Sequence, residues 1–251
     1  MAPKISVFAI AKNEASNISP FIQHLQGFAE EVVIVVDAST QDNTLKLAQD
    51  LGAKVYLRPF DNFSAQKQFA LEQCTGDWAF NLDLDERLTP EIKSEILHTL
   101  PNTDADIIRL PRRQVVFGKV MRHGDIGFTR IPRLARRSLA HYGDELVHEN
   151  LSASGKVLTL KNYFLHYTYR DLRQYMDTMN DYSSRWAQDK FARGKKFHGW
   201  QLFRFPLDFL MAYFVRGGIW GGYPGLIMSV GHAFYSFMKY AKLGAFYSLT
   251  R

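Results

Sequence analysis

The sequence predicts an α/β fold with a mixed central sheet, its first part parallel, followed by a helical C-terminal extension. Over roughly the first hundred residues, short apolar runs alternate with helix-periodic segments, the pattern of successive βαβ units. From Asp106 to Leu160 the chain turns β-rich and is broken by Gly118, Gly124, Gly127, Gly143 and Gly155. Beyond Asp171 apolar residues recur at helical spacing.

Strands are predicted at Ile5 to Ile10, Glu31 to Val36, Lys54 to Tyr56 and Trp78 to Leu82, each an apolar run of strand length bounded by turn residues. The helices between them cover Ile18 to Leu25, Thr44 to Leu51 and Ser64 to Gln73. Thr89-Pro90 starts another near Glu91, because the fixed φ of proline suits a first helical turn. Behind Asp171 as N-cap, Leu172, Tyr175, Met176, Met179, Tyr182 and Trp186 define one face of a long amphipathic helix. The tail from Phe203 to Tyr240 is aromatic and aliphatic, and Gly217 to Met238 contains no Asp, Glu, Lys or Arg. Gly217, Gly218, Gly221, Gly222, Pro224 and His232 interrupt a transmembrane pattern, which favours paired helices lying in the membrane interface over a span. A buried helical hairpin completing the core is the alternative. The expected division is a catalytic domain at 1–168 and an extension at 169–251.

A hydrophobic content of 46% with 22% charged residues excludes a disordered chain. Cys74 is the lone cysteine, so no internal disulfide forms, a weak pointer to a reducing compartment. The apolar run in Met1 to Ile10 is far shorter than that of a signal peptide, and no export is expected. The net charge of +6 suits an anionic partner and is unevenly placed. Arg109 to Arg137 holds nine Lys or Arg against Asp125 alone, a net +8 that leaves −2 for the rest. No nucleic-acid reading module accompanies this stretch, so nucleic acid is not an expected partner.

In open α/β sheets ligands sit beyond the carboxyl ends of strands. The residues there are polar: Asn13 and Glu14 after the first strand, Asp37 to Thr44 after the second, and Asp83, Asp85 and Glu86 after the fourth. Alternation along an extended segment would set the carboxylates of Asp83-Leu84-Asp85 on one side, where a single Mg²⁺-like cation meets both and takes substrate phosphates as further ligands. Such a cation would neutralise charge developing on a leaving diphosphate. Asp37 suits a base imide N–H, whereas Asp42 is better placed to cap the next helix with Thr44. Lys67, at a helix start, is a surface residue by default, and His166 is as readily a core histidine as a metal ligand.

Taken together, Ala11-Lys12-Asn13-Glu14, Asp37 to Thr44, Phe63 to Lys67, Gly76-Asp77-Trp78, Leu82 to Glu86, Val147-His148-Glu149 and Leu165-His166-Tyr167 resemble the family 2 glycosyltransferases of GT-A fold. The pattern is most similar to the lipopolysaccharide inner-core β-glucosyltransferases that act on heptose. That resemblance implies a UDP-sugar donor, UDP-glucose by preference, bound by Ala11, Asn13, Glu14, Asp37, Lys67 and Asp83, with Asp37 at the uracil and Lys67 near the phosphates. It implies a divalent metal, Mg²⁺ or Mn²⁺, with Asp85 as principal ligand joined by Asp83 and His166. Glu149 becomes the base that deprotonates the acceptor hydroxyl on the face opposite the leaving nucleotide, in place of the usual Glu-Asp pair. His148 orients its loop. An inner-core acceptor is anionic, and arginine forks bind carboxylates and phosphates bidentately, so Arg113, Arg122, Arg130 and Arg133, with His148, are expected on the acceptor. The expected location is the cytoplasmic face of the inner membrane, with peripheral attachment. Rival readings are transfer to polyprenyl phosphate or a capsular acceptor, and a non-catalytic sugar-nucleotide or membrane-binding scaffold.

Overall fold

A computed structural model of the chain describes residues 3–123, 128–143 and 150–249. It divides into two compact units, residues 1–112 with 129–166 and residues 113–128 with 167–251.

The first unit begins with the predicted βαβ units: β1 (Ile5–Ala11), α1 (Ala15–Leu25), β2 (Glu31–Asp37), α2 (Thr44–Asp50), β3 (Lys54–Arg58), α3 (Phe63–Glu72), β4 (Trp78–Asn81), then β5 (Glu86–Leu88) and α4 (Pro90–Thr99). Period-2 alternation decides what each strand faces. Ile5, Val7 and Ala9 of β1 join Ile18, Phe21 and Leu25 of α1 in one core layer. Phe8 points the other way, into a second layer with Ala70 and Leu71 of α3. Both faces are covered, so the strands read as near-continuous apolar runs. Three helices carry side-chain caps: Asn62 accepts from the Ala65 N–H at 2.8 Å, Thr89 from that of Ile92 at 3.3 Å, and Asp171 from that of Gln174 at 2.8 Å. Each cap contributes about 1 kcal/mol. Helix α1 starts at Ala15, ahead of the predicted Ile18, because its first turn, Ala-Ser-Asn, shows no apolar periodicity.

The β-rich middle supplies β6 (Ile107–Val116), β7 (Lys119–Val120), β8 (Phe128–Arg136), β9 (Ala140–His141), β10 (Ser152–Ala153), β11 (Val157–Thr159) and β12 (Phe164–Tyr169). Sheet order is β3-β2-β1-β4-β8-β6-β12-β5. Strands β3, β2, β1 and β4 are parallel, and β8 runs antiparallel to β4 with Phe80 opposite Leu134. This is the predicted mixed central sheet.

In the second unit, α5 (Leu172–Ala192) is the predicted amphipathic helix. Helical turns from Gly199 to Arg204, α6 (Phe205–Leu210), turns at Met211–Val215 and Gly218–Gly221, and α7 (Gly222–Leu249) follow. In place of two paired helices the tail forms short turns and one 28-residue helix. Helix α7 packs on α5 through Trp186 against Tyr240, centroids 5.2 Å apart, and Phe191 against Phe246 at 5.3 Å. The α7 glycines are contact points rather than breaks: a Cβ on Gly225 would lie 2.0 Å from the Gly218 carbonyl oxygen, and one on Gly231 would lie 2.0 Å from the Tyr175 hydroxyl. Among the described residues no helix is long and apolar enough to cross a membrane.

Candidate active site

Strand β1 has β2 on one side and β4 on the other, so the connections reverse direction at β1. Ligand crevices of open α/β sheets form at such a point, outside the carboxyl ends of the strands.

At this edge Ala11, Lys12, Asp37, Phe60, Phe63 and Gln66 border a pocket of about 310 Å³. Asp37 ends β2, accepts from the Ser39 N–H at 2.9 Å and hydroxyl at 3.0 Å, and pairs with Lys12 Nζ at 2.9 Å. The Ser39 N–H and the Lys12 ammonium hold this carboxyl below its ordinary pKa, making it a fixed anionic acceptor. Asn13 has φ +53°, a left-handed conformation that asparagine tolerates better than most residues, and its Oδ1 accepts from the Gln41 N–H at 2.8 Å. The Glu14 N–H donates to Thr44 Oγ1 at 2.7 Å. Asn13 and Glu14 thus tie the loop after β1 to the loop after β2. Asp42 accepts from the N–H groups of Thr44 and Ala15, both at 3.0 Å, but the N-cap position of α2 is Asn43, which carries no side-chain cap, so the expected cap becomes a link between the two loops.

A second pocket of the same unit, about 300 Å³, is bordered by Lys67, Asp83, Arg112, Arg133, Asn150 and Leu151. Three cations and one carboxylate give it a positive balance suited to a multiply charged anion. Lys67, on α3, is only 6% exposed and lies 3.6 Å from Asp83 Oδ1, which corrects its default surface placement. Arg133 is likewise buried rather than on an acceptor face. The register of β8 on β4 brings it to Asn81 Oδ1, and its Nη2 lies 2.6 Å from Asp83 Oδ2 and 2.7 Å from Glu86 Oε1. Glu86 has no exposed surface, and Arg112 approaches it at 3.5 Å. Burial works to raise the Asp83 carboxyl, but Arg133 and then Lys67 outweigh it and hold Asp83 well below the carboxylate range. For Glu86 burial prevails, opposed by Arg133 and reinforced by Asp83, and its pKa is raised.

Asp83 and Asp85 do not lie along one extended segment. The Glu86 N–H donates to the Asp83 carbonyl at 2.9 Å and the Asp83 N–H to the Glu86 carboxylate at 3.0 Å, which closes a turn. Each aspartate then engages a different partner, and Asp85 Oδ2 lies 3.0 Å from His166 Nε2, on β12. Among the described residues no group of three or more His, Cys, Asp or Glu side chains is gathered around one point. The expected metal trio is therefore not assembled, because Asp83 is committed to Arg133. Asp85 and His166 alone still fit a divalent cation that completes its shell with phosphate oxygens, since both are partly exposed and supply one oxygen and one nitrogen.

Of the remaining expected residues, Arg122 and Arg130 are exposed, with Arg113 and Arg122 in the second unit and Arg130 in the first. His148 and Glu149 lie outside the described residues. Sequence reasoning missed Lys12, Asn81 and Arg112 and left Glu86 without a role. Lys12 stood beside Asn13 in the same motif, whereas the other three depend on long-range pairing.

A fixed carboxylate acceptor, a cationic pocket and an Asp–His pair lie in the sheet unit, an arrangement suited to an anionic ligand. The model for Glycosyl transferase family 2 matches residues 6–151, and the chain belongs to that family. It is a glycosyltransferase, and its mixed sheet agrees with the GT-A fold the motifs implied. The lipopolysaccharide core biosynthesis glycosyltransferase LpsC of Rhizobium meliloti is 32% identical, over 97% of this chain and 93% of that one. An uncharacterized glycosyltransferase of Rickettsia felis is 31% identical, over 96% and 89%. The crystal structure of S. aureus TarS 1-349 in complex with UDP-GlcNAc aligns over 98% of this chain and 92% of that one, at 13% identity and a TM-score of 0.49.

Proposed function

We propose that the protein transfers glucose from UDP-glucose, with inversion, to a heptose of the nascent lipopolysaccharide inner core, as a peripheral protein at the cytoplasmic face of the inner membrane. The observation that carries the donor is the pocket lined by Lys67, Arg112 and Arg133, whose three cations answer a diphosphate. Asp83 and Glu86 fix the guanidinium of Arg133 in advance, so little reorganisation accompanies donor binding. Asp37 accepts the imide N–H of the base. The acceptor assignment is supported by the similarity to LpsC and by the basic stretch from Arg109 to Arg137, in which Arg113, Arg122 and Arg130 are the acceptor-binding residues. Asp85 and His166 are the residues that hold Mg²⁺ or Mn²⁺. When bound there, the cation offsets charge developing on the departing UDP. Glu149 takes the proton of the attacking heptose hydroxyl.

Incubation of the full chain with UDP-glucose, Mg²⁺ or Mn²⁺ and heptose-terminated core lipid should give a lipid one hexose heavier by mass spectrometry. Transfer to polyprenyl phosphate and not to core lipid would overturn the acceptor. Binding of UDP-glucose with no transfer to any acceptor would favour the scaffold reading.

A further inference from the structure

We propose that Trp200 to Tyr223 form a monotopic membrane-binding face, lying in the headgroup region of an anionic bilayer. This rests on the peripheral location proposed above and adds the surface and the lipid charge. The chain is helical from Gly199 to Val215. Along it Phe203, Leu207, Leu210 and Phe214 recur at steps of four, three and four, one face of a helix. A helix packed on a water-soluble core turns such a stripe inward. Here the stripe faces out, with Phe203 78% and Leu207 64% exposed, while Ala212 is buried. Trp200, Trp220 and Tyr223 flank it, and Trp220 is 73% exposed. An outward apolar stripe with aromatic flanks is a binding surface rather than scattered surface hydrophobicity, and indole and phenol rings suit the headgroup boundary.

Charge selects the occupant. From Phe191 to Arg251 there are eight Lys or Arg and a single acid, Asp208, which is paired with Arg204 at 3.4 Å. A second copy bound by two-fold symmetry would set this positive surface against itself. A bilayer containing anionic lipid satisfies both the apolar stripe and the charge. Since no described helix is long and apolar enough to span, the segment lies in the interface.

The test uses the full chain with vesicles of phosphatidylcholine alone, or of phosphatidylcholine and phosphatidylglycerol in equal parts. Sedimentation should show binding stronger by about tenfold or more on the anionic vesicles. Lipids brominated in the upper acyl chain should quench tryptophan fluorescence, and the W200F/W220F variant should lose that quenching. The exposed triple variant F203S/L207S/F214S should keep its circular dichroism and thermal midpoint while binding falls about tenfold or more. Binding that survives the triple variant, or proceeds without quenching, overturns this face and leaves the peripheral location standing. No binding to either vesicle overturns both. A dimer in vesicle-free sedimentation that the triple variant abolishes assigns the face to a second copy and overturns the proposal.

Discussion

The two units invert each other's use of burial. In the first, polar groups are hidden: Glu86 and Arg133 sit inside the protein, paired with each other and with Asp83. In the second, apolar groups are shown: Phe203 and Trp220 stand mostly in solvent. Burying an ion pair rarely adds stability, and exposing a large aromatic forgoes the gain of covering it. Each departs from the rule that stabilises a fold. Under the proposals above, the buried charges would serve a charged small molecule and the exposed aromatics a bilayer surface.

The largest effect expected from this contrast is on catalysis. Asp85→Ala should leave the fold intact and lower the proposed sugar transfer by roughly 10²–10³-fold, the scale for losing a group that stabilises transition-state charge, as read by initial rates at saturating donor. Unchanged rates would overturn the proposed metal-holding role of Asp85. Next comes Arg133→Met, which takes the nearest cation from a Glu86 without exposure and leaves the Asp83 N–H and the more distant Arg112. The unfolding midpoint in urea should show a loss of about 3–5 kcal/mol. The matching change in the second unit, Arg122→Ala, removes an exposed side chain and should stay within about 0.5 kcal/mol. Equal costs at the two arginines would erase the contrast.

Tryptophan gives the apolar version. Trp78, 1% exposed with the Arg136 guanidinium 5.0 Å above its ring, should cost about 3–5 kcal/mol as Trp78→Ala, measured by chemical denaturation. Trp220→Ala should cost no more than about 0.5 kcal/mol without membrane present.

How far the sequence revealed each region follows from what is local. Strands β1 to β4 were legible because each is an apolar run between turn residues, and the polar residues at their ends marked the site edge. The cap Asp171 was legible because a cap acts within three residues, and the start of α4 was legible from Thr89-Pro90. The burial of Lys67 and Arg133 was not legible because it is decided by partners far along the chain: Asp83 for both, and the β4–β8 register for Arg133. Asp83 and Asp85 were visible as a pair, but the turn that separates them is closed by Glu86, whose carboxylate was assigned no work. Gly217, Gly218, Gly221 and Gly222 were legible as breaks: Gly217 and Gly222 have positive φ and a short turn spans Gly218–Gly221. Gly225 and Gly231 carried no such reading and lie inside α7, where the Gly218 carbonyl and the Tyr175 ring come too close for a Cβ. Composition cannot distinguish a glycine that bends a helix from one that lets a neighbour approach.

Smaller than the losses at Arg133 and Trp78 is a pH dependence seated in the sheet unit. On α1, His24 shares a hydrogen bond with the Pro20 carbonyl through Nδ1 at 3.3 Å, while Nε2 is buried with no hydrogen-bond partner among the described residues. Burial first, then Arg87 and Lys93, push its pKa from 6.5 down to about 4. Between those values the unfolded chain binds a proton that the folded protein refuses, so unfolding gains a proton and stability falls as pH drops. Above pH 6.5 the contribution is fully present, and by about pH 4 it is lost. Partial exposure of the ring screens the charge, which brings the loss to about 2 kcal/mol rather than the larger value of a sealed site. Hydrogen exchange of the β1 and β2 amides, followed from pH 7 to 4.5, should show local stability declining in the wild type and a shallower slope in His24→Gln, whatever the absolute stability of that variant. An identical slope in both would move the acid-sensitive group out of α1. Exchange in α5 and α7 followed in the same experiment would show whether the helical unit, whose exposed aromatics do not titrate, loses stability over the same pH range.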